Sequence, residues 1–199
     1  MTKSLYFVRH GDTETTESNK MHPDEAEVGL SEKGEMQVQA LARRLQTENI
    51  EVIHISPSRR TVETAEIITS ICEIPTLIVD KRIVERRWGD WSERGWTVIK
   101  NDLDKMSLDQ RYEFIPPGGE SWQQFENRLK DFFQEMIVSG SQKILIVTHM
   151  GCIRALFPLI LKKPKEITFE LDFAPASLTK IVFAGDEASV KIQNDISHL

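Results

Sequence analysis

Two periods alternate along this chain. Short apolar runs rich in β-branched residues are separated by longer stretches in which apolar side chains return every three or four positions. That is the pattern of strands and helices taken in turn. Residues 5–9 (Leu-Tyr-Phe-Val-Arg) read as a buried first strand, 51–55 as a second and 77–80 as a weaker third. Residues 143–148 carry Ile144-Leu145-Ile146-Val147, the uninterrupted apolar run that a central strand covered on both faces requires. Residues 178–184 and 189–193 are expected to pair antiparallel around Gly185-Asp186. A first helix is predicted over 32–47, with Leu41 and Leu45 on one stripe. A second should open at Ser56-Pro57, an N-cap followed by a first-turn proline, and run to about 71. A third starts at Ser121, whose spacing to Gln124 fits a capping box, and continues to about 138. The fourth follows Gly151 and stops near Lys163-Pro164. The stretch 86–117 is less regular and holds three of the four tryptophans; with 15–29 it reads as insertions over one end of the sheet.

The pattern predicts an α/β domain, and 199 residues at 40% hydrophobic suit one domain spanning 1–199 with one sizeable core. A net charge of -6 argues against nucleic acid or an anionic membrane as partner, while leaving room for a local basic pocket. Cys72 and Cys152 stand far apart, which argues against a disulfide scaffold or a thiolate zinc site. The chain opens Met-Thr-Lys and enters Leu5-Tyr6-Phe7-Val8 without a leader-like apolar region, and no run approaches membrane-spanning length. A soluble cytoplasmic protein is the expectation. Its oligomeric state is left open, a dimer included.

Three polar segments each follow a predicted strand. Arg9-His10-Gly11 ends the first, Ser56-Pro57-Ser58-Arg59-Arg60 the second, and Thr148-His149-Met150-Gly151 the central one. Ligands of open α/β sheets bind outside the carboxyl ends of the strands, so two histidines and several arginines should meet there. Arginine offers a planar fork of donors matched to phosphate, and a helix starting after His149 would aim free N–H groups at an anion. A neutral imidazole can attack phosphorus, and the leaving oxygen needs a proton, for which Glu85 is a natural source.

These segments resemble a known family. Arg9-His10-Gly11-Asp12-Thr13 is similar to the R-H-G-x-T signature of the histidine phosphatase superfamily, which includes the cofactor-dependent phosphoglycerate mutases. Leu30-Ser31-Glu32-Lys33-Gly34 with Gln37, the stretch from Ser56 to Ala65, Glu85 with Gly89-Asp90-Trp91, Pro117-Gly118-Gly119-Glu120-Ser121 and the stretch from Val147 to Arg154 resemble further family segments in the same order. The resemblance implies a three-layer α/β/α sandwich with a mostly parallel mixed sheet, and insertions at about 15–29 and 86–117 forming a lid. It implies a catalytic set of His10 as nucleophile, Glu85 as proton donor, His149, Arg9 and Arg60. It also points to Arg9, Gly11, Thr16, Arg60, Arg86 and Met150 as substrate contacts. Thr16 stands where the family often has asparagine, Ser92-Glu93 where it has glutamate-glycine, and Met150 where it has glycine.

The expected activity is metal-independent hydrolysis of phosphomonoesters through a phosphohistidine, of the histidine acid phosphatase type. A small phosphorylated substrate is the partner, and no cofactor is called for. Alternatives are a phosphoglycerate-type mutase, against which 86–117 is short, and a phosphoprotein or phosphohistidine phosphatase using the same site. A zinc site from the two histidines and the glutamate is disfavoured, because arginines converging on the same point repel a cation. Trp88, Trp91 and Trp96 read as packing for the insertion.

Overall fold

The computed structural model describes residues 2–17 and 28–199, without the side chains of Thr16 and Glu17. Six strands form one sheet: β1 (Thr2–Arg9), β2 (Val52–Ile55), β3 (Leu77–Val79), β4 (Lys143–Thr148), β5 (Leu178–Ala184) and β6 (Glu187–Asp195). Their order is β3-β2-β4-β1-β5-β6. The first four run parallel, and the β5–β6 hairpin adds antiparallel beside β1. The hairpin turns at Gly185, whose φ of +60° lies where glycine is favoured.

Successive side chains of a strand point to opposite faces, so the apolar runs of β1 and β4 must meet cover on both sides. Leu5, Phe7, Ile144 and Ile146 pack against α6 (Trp122–Val138) and α7 (Met150–Ile160). Tyr6, Val8, Leu145 and Val147 pack against α2 (Glu32–Leu45) and α3 (Arg59–Cys72). Three layers result. Leu41 and Leu45, the stripe expected on α2, are buried, which stabilises by roughly 1.5–3 kcal/mol per side chain. The Ser121–Gln124 capping box opens α6 as its spacing predicts.

Two expectations need correction. The helix after β2 begins at Arg59 with Ser58 as its N-cap, not at Ser56-Pro57. The Ser56 hydroxyl is drawn instead to His149, and Thr61 Oγ1 donates to the Ser56 and Ser58 carbonyls in the resulting loop. The insertion 86–117 is also more ordered than its composition suggests. After the single-turn α1 (Glu14–Glu17) near the start of the chain, α4 (Trp96–Leu103) and α5 (Leu108–Glu113) are short helices inside that insertion. They close a small core of Trp88, Ile99 and Leu103, with Trp91 and Trp96 against it. Residues 18–27, most of the other insertion, lie outside the described residues.

Candidate active site

Sheet register brings the three strand-end segments together. Arg9 pairs with Thr148 and Ile55 with Val147. The His10 amide then donates to the Thr148 carbonyl, and the Ser56 amide to the Val147 carbonyl, extending the ladder one residue past the strands. His10, Ser56 and His149 consequently leave the same edge of the sheet side by side.

The two imidazole rings stand edge to face, 5.4 Å apart between centroids, and both are almost wholly buried. His10 Nδ1 lies 2.8 Å from the Gly11 carbonyl oxygen, which can only accept. The Nδ1 position therefore carries the proton, and in the neutral ring Nε2 holds the lone pair. His149 has the opposite tautomer. Its Nδ1 receives an N–H from Arg60 Nη2 at 3.2 Å, so Nε2 bears the proton and donates to Ser56 Oγ at 2.8 Å.

Arg9 and Arg60 bring positive charge to the same cavity. Arg9 Nη1 donates to the Phe173 carbonyl and touches Met150 Sδ, while its Nε is buried without a hydrogen-bond partner among the described residues. Arg60 Nε is in the same state. Burial pulls the Arg9 guanidinium below its usual range, opposed by Glu85, Asp172 and Asp12. It draws Arg60 down to about 10, with Glu85 opposing and Arg9 adding to the effect. Two desolvated cations with unsatisfied buried donors are groups whose desolvation and lost hydrogen bonds an anion's oxygens could relieve.

Glu85 enters from the extended stretch after the single 3₁₀ turn Lys81–Ile83. One carboxylate oxygen accepts the Gly151 amide at 3.0 Å and the other its neighbour's, Arg86, at 2.8 Å. His149 is the N-cap of α7, which begins at Met150 rather than after Gly151, and the group its first turn holds is the Glu85 carboxyl. Only glycine permits this: a Cβ on Gly151 would fall 2.1 Å from Glu85 Oε1.

Residues 5–196 match the family described as histidine phosphatase superfamily (branch 1). The chain belongs to that superfamily. Among its relatives, phosphoserine phosphatase 1 of Hydrogenobacter thermophilus is 32% identical, covering 79% of this chain and 75% of its own. The phosphoglycerate mutase-like protein 4 of Arabidopsis thaliana is 28% identical over 98% of this chain and 86% of its own. A solved mycobacterial glucosyl-3-phosphoglycerate phosphatase, in complex with VO3, superposes with a TM-score of 0.83 at 25% identity, covering 96% of this chain and 99% of that one. The fold is the one these histidine phosphatases share, and the chain is a phosphatase of the superfamily, a hydrolase.

In this histidine phosphatase a cavity of about 290 Å³ contains Arg9, His10, Arg60, Glu85, His149 and Met150 in its lining. Arg86 lines it too, but Nε and Nη2 are spent on the carbonyls of Glu120 and Phe114, and its plane stacks 4.3 Å over Trp88. Gly11 does not reach the cavity. It lies under α2, where a Cβ would meet the Gly34 carbonyl at 2.7 Å, and its amide donates to Thr64 Oγ1. The Thr16 side chain lies outside the described residues. The insertion roofs the cavity with Trp88, Trp96, Leu103 and Arg111, so two tryptophans expected only to pack also face the ligand space. Ser56, Gly151, Arg111, Arg154 and Asp172 join the site without a role assigned from sequence. Gly151 had a signal in Thr148-His149-Met150-Gly151; Arg111, on a short charged helix, had none. No helix among the described residues is long and apolar enough to cross a membrane.

Proposed function

We propose that this chain hydrolyses small phosphomonoesters through a phosphohistidine on His10, with Glu85 as the acid and then the base and with no metal. The observation that carries this is the meeting, in one cavity, of a histidine whose lone pair sits on Nε2 and two buried guanidiniums with unsatisfied Nε donors. His10 Nε2 attacks phosphorus, the ester P–O bond breaks, and Glu85 gives its proton to the departing oxygen. Glu85, now a carboxylate, takes a proton from water as that water attacks phosphorus; the N–P bond breaks and phosphate leaves. Arg9, Arg60 and His149 hold the phosphoryl oxygens through both displacements, where charge stabilisation and alignment do most of the work. In the ground state His149 Nδ1 accepts from Arg60. To donate to phosphate from Nδ1 the ring must change tautomer, Nε2 giving up its proton as Nδ1 takes one, and a rotated Ser56 hydroxyl then donates to Nε2.

A volume of about 290 Å³ falls just under the roughly 300–1,000 Å³ of ligand pockets, and supports a small ester over a phosphorylated protein surface. The phosphatases similar to this chain carry names for small phosphorylated substrates, which supports the same class. The test is rapid quench in base during turnover of a phosphomonoester, followed by intact mass. One added phosphoryl group is expected on the parent protein and none on His10→Ala, whose turnover should collapse. A His10→Ala protein that keeps near-normal turnover refutes the mechanism. Isomerisation of phosphoglycerate dependent on bisphosphoglycerate would reassign the outcome from hydrolysis to transfer.

A further inference from the structure

Residues 84–88 lie between two short 3₁₀ turns and form no helix or strand, yet they carry Glu85. Buried backbone groups outside regular structure need partners of their own, so the bonds of this stretch reveal what holds it. One side chain grips three carbonyls in and just before it. Arg128, on α6, donates from Nη1 to the carbonyls of Arg82 (2.6 Å) and Val84 (2.8 Å), and from Nη2 to the carbonyl of Glu85 (3.0 Å). Its other two N–H groups go to the Glu120 carboxylate, Nε to Oε2 at 3.2 Å and Nη2 to Oε1 at 2.7 Å. All five donors of the guanidinium are thereby used. Glu120 is buried, and Oε1 also accepts the Arg87 amide at 2.9 Å, while the Glu120 amide donates to the Arg87 carbonyl. The pair brackets Glu85 from both sides along the chain.

From this geometry we infer that Arg128, locked by Glu120, is the positioning residue that aims the Glu85 carboxylate at the leaving oxygen. The inference rests on the reading of Glu85 as the proton donor. Neither residue lines the cavity, so both act through the backbone of residues 82–87. Lysine keeps the charge of Arg128 but offers three donors from one point and cannot span three carbonyls and a carboxylate. Loss of the bracket lets Glu85 drift, and displacement by about 1 Å can lower a rate by roughly 100-fold.

The test exploits the leaving group. An alkyl phosphate releases an alkoxide that must be protonated, whereas p-nitrophenyl phosphate releases a stable phenolate that need not be. Turnover of R128K, E120Q and E85Q should be measured across a series of alkyl and aryl phosphates, with inhibition by inorganic phosphate and thermal melting in parallel. R128K is expected to lose roughly 10- to 100-fold in kcat/KM, which reports the step that expels the alcohol, on alkyl phosphates, and only a few-fold on p-nitrophenyl phosphate. The inhibition constant for inorganic phosphate should stay within about threefold, because Arg9, Arg60 and His149 are untouched. E85Q should show the same dependence more steeply, and adding R128K to E85Q should lower the rate little further. Equal losses on both kinds of ester, with E85Q retaining its dependence, overturn the inference. A flat E85Q profile refutes the role of Glu85 and the inference together. If R128K shows no cooperative melt, E120Q, which keeps the shape and one acceptor of Glu120, is read by the same criteria.

Discussion

Replacing Gly151 by alanine should separate stability from rate at a single carbon atom. The added Cβ would sit 2.1 Å from Glu85 Oε1 and 3.0 Å from its Cδ. Ordinary contact begins near 3.4 Å, so the carboxylate must retreat by about 1.3 Å, the difference between that distance and the 2.1 Å found here. The obstacle is the end of a flexible side chain, so the helix can stay while the carboxylate moves. Alanine in place of glycine in helical backbone stabilises by about 0.5–1 kcal/mol, worth about 1–4 °C in melting temperature at this chain length. Misplacement of an acid by somewhat more than 1 Å lowers kcat by roughly 100-fold. G151A should therefore melt at or above the parent temperature and turn over alkyl phosphates about two orders of magnitude more slowly, with little change in inhibition by phosphate. The assay is steady-state kinetics beside a thermal melt. A G151A protein within threefold of parental kcat would show that the carboxylate seen against α7 is not the working acid.

Three further outcomes follow from other contacts. S56A removes the partner of the buried His149 Nε2 and should destabilise by about 1–3 kcal/mol in urea unfolding while lowering kcat; a variant matching the parent in both contradicts the role given to this hydrogen bond. His54, buried against Phe132 with Nδ1 unpartnered, has its pKa lowered by burial, with Asp80 and Glu135 opposing. Below about pH 6.5 the unfolded chain binds the proton that the folded chain resists, so stability falls as pH falls through that range. His198 is shifted in the same direction, and H54L should therefore flatten the decline between about pH 6.5 and 5 without abolishing it; an unchanged slope in urea midpoints contradicts this. Arg111 faces the cavity with Nε buried and unpartnered, stacked 4.2 Å over Phe169 and 3.5 Å from Asp104. Five arginines and two carboxylates line that cavity, so R111Q should raise KM about tenfold more for phosphoesters bearing a second anionic group than for p-nitrophenyl phosphate, and equal effects refute the point.

The parts of the fold legible from sequence are those encoded locally. An apolar run such as Ile144-Leu145-Ile146-Val147 announces a central strand because both its faces need cover. The polar residues that follow such runs announce the site because parallel register gathers strand ends. Short helices built mostly from polar residues, such as α5, show too few apolar repeats to be seen. Ser56 had the composition of a cap, and a histidine ninety-three positions away claimed its hydroxyl. Arg128 reads as one more arginine on an amphipathic helix, because its targets lie 43 to 46 residues earlier and no local period reports them.

The cavity hangs from two separate supports. Its floor, His10 and His149, is set by hydrogen bonds between parallel strands; its roof, Trp88, Trp96, Leu103 and Arg111, is set by a small tryptophan core of its own. Under the proposed mechanism, exchanging side chains of the roof should alter the accepted substrate while the floor takes phosphate in the same way. The two supports meet at one joint, where Glu120 grips Arg87 on the roof side and Arg128 grips Glu85 on the floor side. Changes to the roof that spare this joint should be read as changes of taste, and those that strain it as changes of speed.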